Sequence, residues 1–238
     1  MKNNILRAVK RALMVAAASY VVVTVIFNLM SVKTELSSDA KEVTTPVVPF
    51  PAPQSVAKVT DKKKRIKSLK INPNRTLYIF TEVDERTEML APQIGKLSRS
   101  SPNEPIVILI DSPGGSVFSG EKVVSAIEAA KADVYTVCMG VCASMAAIIH
   151  QYGTKRLAAD RAVLMFHDAA GMMGGRVNEM LSALGMIRRK LDKTNHYIAN
   201  RSKVSYEQLI YLEANNFWID SEDAMEKGLV DDLVVIEE

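Results

Sequence analysis

The stretch Ile106–Val117, IVILIDSPGGSV, decides how the chain is read. Five consecutive apolar residues, Ile106–Ile110, describe a short strand buried on both faces. The Pro-Gly-Gly turn that follows leaves the backbone bare, so its N–H groups can approach a ligand closely. Beyond it Val117, Val123, Val124, Ile127 and Ala130 fall at helical spacing. The same strand, turn and helix grammar extends outward. Upstream, TLYIFTEV from Thr76 reads as a strand and ERTEMLAPQIGKLSRS as a helix. Downstream come a strand in DVYTVCM, a helix over Ser144–Gln151, a strand in AVLMFH and a last strand in LVDDLVVI. Strands alternating with helices predict an α/β fold with a parallel sheet.

Between Gly175 and Leu212 no strand is expected. Val177, Met180, Leu184, Ile187 and Leu191 form one stripe of a helix longer than a crossover needs. Such a helix either covers the sheet or projects and packs against a neighbouring subunit.

The N-terminal part has a different character. Residues 12–32 carry no charge and are mostly apolar, and a helix of that length rises about 30 Å, enough to cross a bilayer. The run exceeds the apolar core of a cleavable signal peptide, which is the competing reading. Lys2, Arg7, Lys10 and Arg11 precede it, whereas Lys33 and Lys41 beyond it are offset by Glu35, Asp39 and Glu42. The positive-inside rule then puts the N-terminus in the cytoplasm and the rest of the chain across the membrane. Prolines 46, 49, 51 and 53 sit in a polar stretch that reads as an extended tether. The expected organisation is a basic N-terminus over 1–11, a transmembrane anchor over 12–32, a tether over 33–68 and a folded domain over 69–238.

The formal net charge of +3 gives no sign of nucleic-acid binding. Cys138 and Cys142 are too few for a disulfide framework, and without a nearby His or Cys cluster they make a poor zinc site. They read as two small buried hydrophobes. No metal or cofactor is called for.

Three features lie in order at expected strand ends, where sites form in open α/β sheets. These are the DSPGGSV turn, Ser144 in GVCASMAA at the start of a helix, and His167 in MFHDAAGMMGG. A helix N-terminus favours an alkoxide-like oxygen. Glycine-turn donors, a serine and a histidine are the parts for acyl transfer. Each is weak alone, because a serine before a helix is usually a cap and a lone histidine usually structural. The G-x-S-x-G elbow is absent.

Taken in order, IDSPGGSVFSG, GVCASMAA, MFHDAAGMMGG and FWIDSEDAMEKGLVDDL resemble the proteolytic subunit of Clp proteases, within the Clp protease/crotonase fold. The resemblance runs from about Arg75 to the C-terminus. It implies a parallel sheet with a projecting handle helix and a serine endopeptidase acting on peptides or proteins. It further implies Ser144 as nucleophile, His167 as general base, and an oxyanion hole built from Gly114, with Gly115 adjacent, and Met145. It implies a homo-oligomeric ring, with the handle driving ring stacking.

The chain departs from the pattern in three places. Counting back from KGLVD, the family's third member, an aspartate, falls on Asn216. An asparagine can orient the histidine but supplies no charge, so a slower peptidase is expected, with Asp168 and Asp220 as alternative orienters. The Ser144–His167 interval is also slightly short. Tether and anchor replace the segment that gates the family's chamber. No ATP-driven unfoldase can reach a domain outside the cytoplasm, so an ATPase partner is doubtful. An anchored member is also similar to signal peptide peptidase A, which uses a Ser–Lys dyad. Lys190 is the candidate there, but it sits on a solvated helix face, and His167 is preferred. His150 and His196 read as structural. The competing functions are a catalytically weak or inactive membrane-tethered scaffold and, last, a crotonase-like acyl-CoA enzyme.

Overall fold

In a computed structural model, residues 66–170 and 174–237 are described, all within the compact unit Lys63–Glu238. The expected anchor and most of the expected tether lie outside the described residues. Among the described residues no helix is long and apolar enough to cross a membrane.

Strand β1 (Lys67–Lys70) leads through a short 3-10 turn to β2 (Thr76–Ile79). Helix α1 (Leu90–Ser100), β3 (Ile106–Ser112), α2 (Val117–Glu128), β4 (Val134–Ala143) and α3 (Met145–Gln151) follow. Then come β5 (Lys155–Ala158), β6 (Val163–Phe166), α4 (Val177–Asn200) and α5 (Tyr206–Glu213). The chain closes with β7 (Phe217–Asp220), α6 (Ser221–Glu226) and β8 (Asp232–Glu237). The sheet runs β1-β8-β5-β4-β3-β2, with β6 joined to β4 and β7 joined to β6. The expected parallel sheet needs one correction. Every pairing is parallel except β6–β7, which is antiparallel.

The alternation along β3 shows why its apolar run is continuous. Ile106, Ile108 and Ile110 enter the large core with Ile94, Val123 and Ile127. Val107 and Leu109 face a second, smaller cluster with Val137, Leu157 and Val234. Both faces are covered, so both sets of side chains leave water. Arg75 is buried beside this core and donates to the carbonyls of Leu97, Ser101, Glu104 and Pro105, which leaves the charge solvated by protein.

β4 divides in two. Its first half, Tyr135–Cys138, pairs with β5, and its second half, Val141–Ala143, pairs with β6. The pairing with β3 is irregular between Ile110 and Ser112. There the Asp111 carboxylate accepts a hydrogen bond from the Val141 N–H at 2.8 Å. A Cβ on Gly140 would meet that carboxylate at 2.8 Å, so a larger residue there would push the Asp111 side chain off this position. The bend brings the Cα atoms of Cys138 and Cys142 to 5.8 Å, where four residues of straight strand would span about 13 Å. Both cysteines are buried, as the sequence suggests, but they are joined as a disulfide and not merely packed.

The fully buried residues of the long helix α4 lie near its end, at Thr194, Asn195 and Ile198, while Met180, Ile187 and Leu191 of its stripe are half-buried. Nearer its start, Val177 is 71% and Leu184 51% exposed.

Candidate active site

The site is assembled by the second half of β4. Ala143 is in register with Met165 of β6, so the residues that follow each strand, Ser144 and His167, come out side by side. The Ser144 N–H donates to the Met165 carbonyl at 2.8 Å. At Ser144 the chain turns from strand to helix with φ 54° and ψ −124°. A side chain in this region is strained, and such strain at a strand-to-helix turn projects the hydroxyl clear of the backbone. The His167 Nε2 lies 2.8 Å from the Ser144 Oγ. Both residues are partly exposed.

The glycine turn packs directly on this pair. Gly114 has φ 94°, and a Cβ there would meet Ala143 O at 2.5 Å, Ser144 Cβ at 2.7 Å and Met145 N at 2.9 Å. The segment after β2 holds the turn in place. The Val83 N–H donates to Gly114 O, and the Ser116 N–H donates to Val83 O, each at 2.7 Å. A Cβ on Gly115 would lie 2.4 Å from Val83 O. Of the three expected oxyanion donors, the N–H groups of Gly115 and Met145 are unengaged by other described residues, whereas the Gly114 N–H donates to Ser112 Oγ at 3.2 Å.

No expected third member is hydrogen-bonded to His167. The Asn216 N–H donates to Glu213 O at 3.2 Å and φ is 52°, but its side chain makes no hydrogen bond to the ring. Asp168 turns back on the Ala169 N–H, and Asp220 caps α6 through the Asp223 N–H. Lys190 pairs with Glu121 of α2 and makes no hydrogen bond to Ser144. His196 stacks on Tyr206 with centroids 4.1 Å apart. His150 is buried, with Nε2 bonded to Leu157 O at 2.9 Å and Nδ1 facing the Gln151 amide at 3.1 Å. Burial holds its pKa down at about 4.

Three residues around the site carry no motif signal of their own. Ser112 and Asp111 stand inside the quoted turn but look like ordinary turn formers. Glu213 carries no motif, yet its carbonyl accepts the N–H groups of Asp168 and Asn216, and its carboxylate accepts the Asn195 amide at 2.7 Å. Burial, reinforced by the charge of Asp168, raises its pKa to about 7. Among the described residues no three His, Cys, Asp or Glu side chains gather as metal ligands.

A family model described as Clp protease matches residues 60–237. The ATP-dependent Clp protease proteolytic subunit of Porphyromonas gingivalis is 29% identical over 164 residues, covering 68% of this chain and 74% of that protein. That of Shouchella clausii, subunit 1, is 28% identical over 166 residues, covering 68% and 86%. Subunit 3 of Synechococcus sp. (strain CC9902) is 30% identical over 195 residues, covering 80% and 95%. The chain belongs to the Clp protease family, a family of peptidases.

Proposed function

We propose that the chain is a membrane-anchored serine endopeptidase that cleaves peptide bonds through an acyl-enzyme. The observation that carries the reading is the 2.8 Å contact between Ser144 Oγ and His167 Nε2 beside a glycine turn. The Nε2 takes the Ser144 proton as the oxygen attacks the scissile carbonyl. The developing oxyanion faces the N–H groups of Met145 and of the Gly114–Gly115 turn. The imidazolium then protonates the leaving amine. Water, deprotonated by the same nitrogen, releases the acyl group. For Nε2 to be the acceptor, neutral His167 must carry its proton on Nδ1. No described residue accepts from that nitrogen, so orientation rests on Ser144 and packing, and slow turnover follows. Asn216 remains the candidate orienter named by motif position.

The charge-free run 12–32 behind Lys2, Arg7, Lys10 and Arg11 supports an anchor in the lipid bilayer, with the N-terminus cytoplasmic and the catalytic domain across the membrane. In this arrangement the enzyme works without an ATPase partner. The exposed Val177 and Leu184 support a homo-oligomeric ring built through α4. Protease added to intact spheroplasts then cuts the tether near Lys62, and protection would refute the orientation. A Leu184→Glu variant sediments as smaller species than wild type, and an unchanged profile would refute the interface.

The engaged Gly114 N–H and the open His167 Nδ1 favour one second reading, a tethered scaffold that has lost activity. Hydrolysis of an unfolded protein substrate separates the two. Under the peptidase reading wild type cleaves and Ser144→Ala, still folded, does not. Equal rates for the two proteins would sink the assignment.

A further inference from the structure

The bend in β4 lies between the two halves of one strand, and each half has its own neighbours. The first half is held in the main sheet by β3 and β5. The second half sets the active site, because its register with β6 places Ser144 beside His167. The hinge between the halves is Met139–Gly140. The Val141 N–H just beyond it is tied to β3 through the Asp111 carboxylate, and Asp111 is exposed to competing water. Cys138 ends the first half and Cys142 lies in the second, two residues before Ser144. Their Cα separation of 5.8 Å is within the range a disulfide requires, and both residues are fully buried.

We infer that the Cys138–Cys142 disulfide is a positioning clasp that fixes the β4 bend and thereby the approach of Ser144 to His167. The positioning role rests on Ser144 being the nucleophile, but the existence of the bond does not. Disulfide stabilisation of a whole fold grows with the length of the loop closed, and this loop is at the short end. The bond therefore acts locally, on the geometry of the strand, more than on global stability. It forms by thiol–disulfide exchange. The two thiols lose two protons and two electrons, and a disulfide-bearing oxidant leaves as two thiols. Because both sulfurs are sealed in the core, exchange takes place before packing is complete, and the folded protein shelters the bond.

The test uses the full chain, purified without reductant. Protein denatured in N-ethylmaleimide is weighed by mass spectrometry before and after reduction. The clasp predicts no adduct before reduction and two after it, and two adducts without reduction would overturn it. Labelling by a fluorophosphonate is then followed against probe concentration for wild type, for C138A/C142A, and for wild type folded and kept in reductant. Opening the clasp is expected to slow the limiting labelling rate about tenfold or more, as small misplacements of reacting groups do. The half-saturating probe concentration and the melting temperature should change little, and unfolding the reduced wild type and refolding it with an oxidising disulfide should restore the rate. Equal limiting rates with and without the bond would overturn the positioning role, and the reduced wild type decides this even if the double variant fails to fold. If no form is labelled, the serine chemistry falls and the positioning role with it, while the thiol count still judges the bond.

Discussion

The surroundings of the two histidines at either end of the short helix α3 differ in one respect, and the difference teaches where function sits. His150, near its end, is sealed. Its two ring nitrogens meet Leu157 O and the Gln151 amide, Gln151 in turn bonds Leu229 O and Arg156, and Arg156 is paired with Asp231. His167, beside the helix start, has one hydrogen-bond partner among the described residues, Ser144, and the N–H groups of Met145 and Gly115 nearby are open to them as well. Buried polar groups in a core are satisfied because leaving them unpaired costs free energy. Around Ser144 donors stay unpaired among the described residues, as the proposed oxyanion hole requires. Under the proposed function the two regions should answer differently to mutation, damage near His150 costing stability and damage near His167 costing chemistry.

Short of removing Ser144 or His167 itself, the largest effect is expected from Gly114→Ala. The added methyl meets backbone at 2.5 Å and demands φ near 94°, so the turn must shift away from Ser144 and Met145. Loss of aligned oxyanion donors lowers turnover by about 10²–10³. Peptide hydrolysis per folded molecule measures it, and wild-type turnover would break the comparison by showing that the turn is merely structural.

A smaller and different effect follows from His150→Phe. It strands the Leu157 carbonyl and the Gln151 amide, which costs about 2–4 kcal/mol of stability at neutral pH but leaves hydrolysis per folded molecule unchanged. The pH dependence sharpens this. His150 folds with its pKa depressed from 6.5 to about 4, so the neutral form is favoured in the native state. Its contribution is fully present above pH 6.5 and is lost as pH falls toward 4. Urea titrations across that window should show a steeper acid loss for wild type than for the variant.

The smallest effect concerns Glu213, beside the site. Its carboxyl is raised from 4.5 to about 7, burial leading and Asp168 adding, so the native state binds its proton more tightly than the unfolded chain. Wild type therefore loses stability as pH rises from 4.5 to about 7. Allowing for partial exposure, the loss is about 1–2 kcal/mol. Glu213→Gln keeps an acceptor for Asn195 and does not titrate, so its denaturation midpoint should stay level over that range. A parallel decline in the variant would remove Glu213 as the cause.

Much of this was legible in the chain. The apolar run Ile106–Ile110, the helix stripes and the order of the turn, Ser144 and His167 mark the central strands and the paired residues, because continuous burial and helical period leave a direct trace. Strands β1 (KSLK), β5 (KRLA) and β7 (FWID) left none. Each is four residues long, and β1 and β5 carry charges that hide the pattern. Their pairing is decided by neighbours far along the chain. The cysteines show the same limit. Four residues apart in a strand they should be remote, and only the bend at Gly140, set by Asp111, brings them together. The hydrogen-bonding state of Gly114 is likewise a tertiary fact that no spacing encodes, and so is the placement of Asn216, which follows the Phe166–Phe217 pair of β6 and β7 opposite His167 without bonding to its ring.

The central claim is that Ser144 is a nucleophile activated by His167, and site-mapped labelling tests it most directly. Full-length protein is treated with a fluorophosphonate at neutral pH, digested, and the modified peptide identified by mass spectrometry. The account predicts modification at Ser144 alone, none in Ser144→Ala, and labelling at least about 10³-fold slower in His167→Ala at unchanged melting temperature. Folded wild-type protein that takes no label, or takes it at another serine, would contradict it.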